Sequence, residues 1–136
     1  MFALITSLSH FANLMPRINP FLRQSSPEEE YTLRKYHHVG IPTDEPREGE
    51  RHNEELKFFS TDFSESPYGI EWMRFEPGCQ VPDLVKRVAH VAFEVDDLEA
   101  ELQGHEVLIP PNSPSEGVVV AFIVEDGTPV EFLQYL

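Results

Sequence analysis

Two short segments of this chain each occur twice, in the same order. Residues 38–44 (HVGIPTD) match residues 90–96 (HVAFEVD), and residues 70–75 (IEWMRF) match residues 130–135 (VEFLQY). A repeated order of this kind predicts two related structural modules that pack as a pair. It also predicts that the histidines and glutamates of the two copies occupy equivalent positions.

Each repeated segment has the residue pattern of a β-strand, in which successive side chains point to opposite faces. His38 therefore shares a face with Gly40, and His90 shares a face with Ala92. Bulky apolar residues occupy the opposite face of both strands. A histidine beside a very small residue has room to project into a cavity while the other face packs on a core.

The second pair of strands carries Glu71 and Glu131. On the same strand faces lie large apolar side chains, which we expect to line a substrate pocket: Met73, Phe75, Leu133 and Tyr135. A carboxylate buried among such groups is costly unless a cation pairs with it. Two imidazoles and two carboxylates are a plausible ligand set for one divalent ion such as Zn, Ni, Co or Fe.

The alternative interpretation is that both histidine–glutamate pairs are merely structural. The metal site is favoured because both residue types recur in register, at positions where an apolar residue would pack better. His37 serves as a comparison: on a regular strand it shares a face with Val39 and Ile41, and Ala89 stands at its equivalent position. We therefore predict that His37 is not a ligand.

The repeated motifs resemble those of the vicinal oxygen chelate superfamily. That superfamily includes glyoxalase I, methylmalonyl-CoA epimerase, extradiol dioxygenases, and fosfomycin and bleomycin resistance proteins. The resemblance covers about residues 36–136 and implies an α+β fold. In this fold two βαβββ modules form a cupped, half-closed β-barrel around a metal-site cavity. The resemblance also implies that the first strand and the last strand of each module each contribute one metal ligand. The ligand pattern is most similar to that of bacterial glyoxalase I and falls on His38, Glu71, His90 and Glu131.

Domain boundaries follow from where the repeat begins. We assign residues 1–34 to an N-terminal extension and linker, and residues 35–136 to the glyoxalase-like domain, with modules at about 36–76 and 88–136. Apolar residues in the extension have helical spacing, although Pro16 would end a helix there: Leu4, Leu8, Phe11 and Leu14. No basic residue precedes this apolar run, so a secretory signal is poorly supported.

The second module is the more regular one in sequence. We predict a short helix over 97–103, capped by Asp96 or Asp97 and ended by Gly104. A strand over 106–109, a loop over 110–117 and a strand over 118–124 should follow. The turn at 126–127 (DG) should then lead into the strand that carries Glu131.

The first module is compressed by about the length of one strand and its turn. Residues 45–56 contain one apolar side chain, Leu56, so a packed helix is not expected there. We predict a strand over 57–63 and a helical turn over 82–87 between the modules.

Charge and cysteine content limit the partners and the compartment. The formal net charge of −14 argues against binding to nucleic acid or anionic membranes, which requires clustered Lys and Arg. Cys79 is the single cysteine, which fits a reducing, cytoplasmic location. We expect a small-molecule substrate, and a homodimer formed through an open sheet edge next to the last strand.

Two carboxylate ligands acidify a metal-bound water less than an all-histidine site does, which disfavours a hydroxide-type hydrolase. We predict a glyoxalase-like lyase or isomerase that acts on vicinal oxygens by enediolate-type proton transfer, with Glu131 or Glu71 as the base. An extradiol-type dioxygenase is one alternative, although a fourth protein ligand counts against it. A small-molecule-binding or resistance protein without catalysis is the other. No cluster of Lys or Arg points to a phosphate or CoA ester.

Overall fold

A computed structural model of the chain describes residues 34–136. The predicted helical stripe and most of the extension assigned to residues 1–34 lie outside the described residues. Within them are two α-helices, a 3₁₀ turn at Phe63–Glu65, and eight strands. The helices are α1 (Asp83–Arg87) and α2 (Leu98–Leu102). The strands are β1 (Lys35–Pro42), β2 (Arg51–Asn53), β3 (Phe58–Ser60), β4 (Ile70–Phe75), β5 (His90–Glu94), β6 (Glu106–Ser115), β7 (Val118–Glu125) and β8 (Thr128–Tyr135).

All eight strands form one mixed sheet that curls into a half-barrel, in the order β2-β3-β4-β1-β5-β8-β7-β6. The first strands of the two modules, β1 and β5, pair antiparallel at the centre. Beside them the last strands pair in parallel, β4 with β1 and β8 with β5. The strand order is therefore the same read outward from the centre in either direction. The predicted α+β fold of two related modules is confirmed.

Helix α2 covers the outer face of the second module. Asp97 caps it, since the Asp97 carboxylate accepts a hydrogen bond from the backbone N–H of Ala100 at 3.0 Å. Gly104 follows the helix with a φ of +77°, which glycine adopts without strain. The helix packs on an apolar cluster that comprises Val95, Leu98, Ala121, Ile123 and Phe132. Burial of this cluster holds β7 and β8 in register.

The first module has no helix between β1 and β2, as the scarcity of apolar residues there predicted. Polar contacts from the connecting loop cover its outer face instead. The Arg47 guanidinium lies 3.8 Å from the centre of the Trp72 ring, a cation–π contact. Arg74 pairs with Glu50 and also lies over the Phe59 ring at 4.1 Å. Charged side chains stacked on aromatic rings thus replace the packed helix of the second module.

Several predicted boundaries need correction. The strand predicted over 57–63 is shorter, because Lys57 has a φ of +58° and the chain enters a 3₁₀ turn at Phe63. The loop predicted over 110–117 is wrong, since β6 continues to Ser115 with an irregular register against β7. The other predicted elements are confirmed, including the α1 turn and the Asp126–Gly127 hairpin turn, where both residues have positive φ.

The open edge expected beside the last strand is also wrong. Strand β8 is paired on both sides, and the sheet edges in the described part of the chain are β2 and β6. Strand β6 is largely exposed and contains Pro110, Pro111 and Pro114. Proline has no N–H to donate, so these residues discourage a further strand from pairing there.

Across residues 34–136, no helix has the length and apolar character needed to cross a membrane.

Candidate metal centre

Gly40 lies between two of the predicted ligands. In the sheet it is opposite Glu71 on the parallel strand β4 and opposite His90 on the antiparallel strand β5. A Cβ atom at this position would come within 2.0 Å of Cε1 of His90. The imidazole therefore lies directly across the glycine backbone, and any side chain at residue 40 would displace it.

Ala92 has the equivalent place in the second module. It lies opposite His38 on β1 and opposite Glu131 on β8, and it is fully buried. The two rows of side chains, one through Gly40 and one through Ala92, are related by the approximate two-fold symmetry of the sheet. Because the middle residue of each row is small, the flanking histidine and glutamate can turn toward each other.

The four predicted ligands lie close together in the sheet. Nε2 of His38 lies 3.3 Å from Oε2 of Glu71 and 3.2 Å from Oε2 of Glu131. Nε2 of His90 lies 3.2 Å from the same oxygen of Glu131. One potential ligand atom each from His38, Glu71 and His90 falls within 4.8 Å of the other two. Both imidazoles are almost completely buried.

These separations fit a shared metal ion better than a hydrogen-bonded cluster. Atoms that coordinate one ion at about 2.0–2.2 Å lie about 3.0–3.6 Å from one another. Nε2 of His38 is buried and makes no hydrogen bond within residues 34–136, although two carboxylate oxygens lie within 3.3 Å of it. A buried nitrogen normally has a hydrogen-bond partner. A metal ion among these atoms would supply the partner that this nitrogen lacks.

Comparisons with known proteins place the fold. No protein-family model matches the chain, and no curated protein matches it in sequence. Methylmalonyl-CoA epimerase from Mycobacterium tuberculosis superposes with a TM-score of 0.54 at 18% identity, over 79% of this chain and 92% of the epimerase. A hypothetical protein from Bacillus halodurans C-125 superposes with a TM-score of 0.53 at 17% identity, over 77% of this chain and 96% of that one.

The chain shares its fold with these two proteins. The fold was predicted from a sequence resemblance to a superfamily that includes methylmalonyl-CoA epimerase. The structural match to that epimerase supports the predicted fold independently. The finer resemblance to bacterial glyoxalase I stays a prediction. At identities below one fifth the likeness concerns the fold alone, and the chemistry has to be argued from the site.

The environments of the two carboxylates differ. Burial raises the pKa of Glu71, and the nearby imidazole of His38 offsets this effect only in part. Burial also acts on Glu131, but the imidazoles of His38 and His90 outweigh it and hold the pKa of Glu131 below its usual value. The Glu71 side chain is 19% exposed and that of Glu131 is 9% exposed. Glu131 is therefore the more firmly held anion, and Glu71 is the more accessible carboxylate.

His37 lies on the same side of the sheet as His38, contrary to the alternation expected of a regular strand. A β-bulge between Tyr36 and His38 leaves His37 without an opposite residue on β5. Bulges of this kind change the direction of a side chain. Nδ1 of His37 lies 2.7 Å from Nδ1 of His38, and Nε2 of His37 lies 2.7 Å from the hydroxyl of Tyr135. Burial lowers the pKa of His37, which favours the neutral ring.

Aromatic rings that the sequence interpretation missed enclose the imidazoles. The Phe63 ring stacks on His38 with ring centres 5.2 Å apart, and the Phe122 ring meets His90 edge-on at 5.0 Å. Phe122 lies opposite Glu131 in the β7–β8 hairpin. The two-residue turn of that hairpin would have been enough to predict this pairing. Phe63 comes from the 3₁₀ turn, for which the sequence has no comparable signal.

The four residues expected to line a substrate pocket occupy different environments. Met73 and Leu133 are buried, and Leu133 packs in an apolar cluster with Val118 and Val120. Tyr135 is 53% exposed. Phe75 is half-buried and lines a cleft. Their role in substrate binding stays a prediction.

That cleft has a volume of about 330 Å³ and lies where β1 and β4 end. It is lined by Pro42, Thr43, Asp44, Phe75, Lys86 and Arg87. Pro42 shares its strand face with Gly40, and Phe75 shares its strand face with Glu71, so the cleft opens on the ligand side of the sheet. Two residues along a strand span about 7 Å. Its lining includes none of the four candidate ligands, and its nearest residue on β1, Pro42, lies about 7 Å along the strand from Gly40. Helix α1 brings two cationic side chains to it.

Proposed function

We propose that this protein binds one divalent metal ion and catalyses proton transfer on a small substrate with vicinal oxygens, as a glyoxalase-like lyase or isomerase. The ligands would be His38, Glu71, His90 and Glu131. The observation that carries the proposal is the buried Nε2 of His38, which makes no hydrogen bond in the described part of the chain although two carboxylate oxygens lie within 3.3 Å of it. Zinc, nickel, cobalt and iron all accept two nitrogen and two carboxylate ligands.

When bound, such an ion polarises the substrate oxygens and acidifies the C–H bond next to the carbonyl. The work of the protein is then to hold the substrate and to move one proton. A carboxylate oxygen of the base takes the proton as the C–H bond breaks, and returns it to the neighbouring carbon. General-base assistance of this kind contributes about 10²- to 10⁴-fold in rate.

Exposure and charge favour Glu71 as the moving base. Its side chain is the more exposed of the two carboxylates, and a single imidazole contacts it. Glu131 is contacted by two imidazoles, so that leaving its position would break two contacts. Glu131 would hold the site together, and Glu71 would reach the substrate carbon.

The remainder of the substrate would occupy the cleft beside Phe75. Lys86 and Arg87 line this cleft in a chain whose net charge is −14. These two cations outnumber the one carboxylate in the lining, Asp44, and favour a substrate with a negatively charged group remote from its vicinal oxygens. The sequence by itself had not suggested an anionic substrate.

A cytoplasmic homodimer is part of the same proposal. Exposed aromatic and apolar residues lie together at one end of the sheet. There the Tyr36 hydroxyl donates to the Tyr68 carbonyl oxygen at 2.7 Å, and Tyr135 contacts His37. Leu136, next to Tyr135, is 82% exposed. A second copy of the chain would bury this surface. Sedimentation equilibrium should give twice the chain mass of 15.6 kDa, and a monomer at all concentrations would contradict the dimer.

Metal analysis followed by a substrate screen tests the function. The full chain, purified without added metal, should carry about one divalent ion or take one up on titration. Glyoxalase-type, epimerase-type and catechol substrates should then be tested, and we expect turnover without oxygen consumption. Absence of metal binding would overturn the proposal. Oxygen consumption with a catechol would establish the dioxygenase alternative, and a ligand bound tightly and returned unchanged would establish the binding-protein alternative.

A further inference from the structure

The two histidines of the candidate centre differ in the partners of their Nδ1 atoms. Nδ1 of His38 contacts the His37 ring at 2.7 Å. Nδ1 of His90 is buried and has no hydrogen-bond partner within the described residues. The position equivalent to His37 in the second module is Ala89, so the sequence repeat has no matching partner for His90. Packing across Gly40 holds the His90 ring instead.

A metal ion bound to Nε2 of His38 would dictate the tautomers of His38 and of the neighbouring His37 ring. Coordination needs the lone pair of Nε2, so the proton of a neutral His38 ring resides on Nδ1. That proton can only be donated to Nδ1 of His37, which must then be unprotonated. The His37 proton lies on Nε2 and is donated to the Tyr135 oxygen, 2.7 Å away. The directions of both hydrogen bonds therefore follow from coordination at Nε2 of His38.

We propose that His37 and Tyr135 are positioning residues that hold His38 in the Nδ1–H tautomer and so present its Nε2 to a metal ion. This inference rests on the proposed metal site. Partners of this kind behind a ligating histidine fix its ring orientation and raise its basicity. The β-bulge in β1 makes the arrangement possible, because it brings two consecutive side chains to one face of the sheet.

Packing is the competing explanation for His37. Its ring lies 4.6 Å from the Phe63 ring, centre to centre, and would fill the same space without donating or accepting a proton. The substitution His37→Phe separates the two explanations, since it keeps a ring against Phe63 but removes the acceptor for His38. His37→Asn is the rescue variant, because its amide oxygen can accept near the position of the lost Nδ1.

His52 supplies a matched control. It also stacks on a phenylalanine, Phe59, with ring centres 4.2 Å apart, and its imidazole pairs with Glu76. His52→Phe therefore loses an imidazole contact and keeps aromatic packing, but at a position that, within residues 34–136, has no hydrogen bond, ion pair or ring contact with the four candidate ligands. Any general effect of replacing a stacked histidine will be the same in this variant.

The experiment measures zinc affinity by chelator competition and histidine tautomers by ¹⁵N NMR of the metal-free full chain, in which no ion imposes the tautomer of His38. We expect His37→Phe to bind zinc about 10- to 100-fold more weakly, and its His38 signal to lose the single Nδ1–H form. His37→Asn should recover part of the affinity, and His52→Phe should equal the wild type. Unchanged affinity and an unchanged His38 tautomer in His37→Phe would overturn the inference, as would an equal loss in His52→Phe.

If circular dichroism shows that His37→Phe is unfolded, Tyr135→Phe decides instead. It removes only the hydroxyl of a largely exposed residue. Zinc binding should weaken by up to about tenfold and the Nε2–H form of His37 should no longer dominate; wild-type values for both would overturn the inference. Failure of the wild-type protein to bind zinc is a different result, because it contradicts the proposed metal site itself.

Discussion

The backbone of Gly40 lies directly against the imidazole of His90, so closely that a methyl group at residue 40 would overlap the ring, 2.0 Å from Cε1. One module thus supplies the space for a candidate ligand of the other module. The relationship is reciprocal, since Ala92 on β5 lies opposite His38 on β1. Small residues at the centre of the sheet let two strands bring their polar side chains together.

Gly40→Ala should therefore displace His90 and weaken metal binding about 10- to 100-fold, the range seen when the support of a ligand is disturbed. Chelator competition with zinc or cobalt measures it. Gly104→Ala is the control, because Gly104 has a positive φ but, among the described residues, no neighbour within 4 Å of an added Cβ. That control should lower stability by about 1 kcal/mol from backbone strain and leave metal affinity intact. Equal affinity in Gly40→Ala and the wild type would contradict the close contact.

Removal of the imidazoles should abolish tight metal binding. His90→Ala should weaken it strongly, and the double substitution His38→Ala, His90→Ala should reduce the bound metal to background, since two carboxylates alone make a poor site for zinc or nickel. Elemental analysis after dialysis gives the stoichiometry. Undiminished binding in the double variant would rule out this ligand set.

The two glutamates should respond differently to loss of charge. Glu71→Gln should lower kcat by about 10²-fold or more with little loss of metal, because the amide oxygen can still coordinate but cannot accept the proton. Glu131→Gln should lower metal affinity as well, since it removes the anion between two imidazoles. Metal titration and steady-state kinetics on the same preparations separate the effects. Full turnover in Glu71→Gln would exclude it as the base and leave Glu131 for that role.

Stability of the outer face of the first module should depend on pH through Glu50. The hydrogen bond from Arg74 holds the pKa of Glu50 below its usual value of 4.5. A carboxyl with a lowered pKa in the folded state stabilises the protein above its unfolded-state pKa and loses that contribution as pH falls through the folded-state pKa. Urea unfolding should show Glu50→Gln to be less stable than the wild type at pH 7, with the difference vanishing well below pH 4.5. If the difference in the free energy of unfolding persisted in acid, the destabilisation by Glu50→Gln would come from packing and not from the charge.

Arg87 should contribute to substrate binding through the cleft. With an anionic substrate from the screen, Arg87→Ala should raise KM about tenfold and leave kcat nearly unchanged, because it removes one charged contact remote from the reacting carbon. Arg51→Ala is the control, since Arg51 is exposed and pairs only loosely with Asp62 at 3.8 Å. A KM unchanged by Arg87→Ala would place the substrate elsewhere.

The sequence by itself determined the features that depend on local periodicity and on the repeat. The two copies predicted paired modules, and strand alternation predicted that His38 and His90 each lie beside a small residue. Asp97 and Gly104 marked the ends of α2, and the scarcity of apolar residues before β2 predicted a first module without a helix. These properties depend on residues close together in the sequence, so they can be predicted before any long-range contact is known.

Only the tertiary structure decided what depends on pairing between distant strands. The bulge that turns His37 toward His38 exists because β1 is matched against β5, so strict alternation misplaced that residue. The continuation of β6 through three prolines depends on its pairing with β7. The unequal burial of Glu71 and Glu131 depends on the side chains that pack around each of them. A shift of one residue between strands reverses every side chain beyond it, and that register is a property of two segments together.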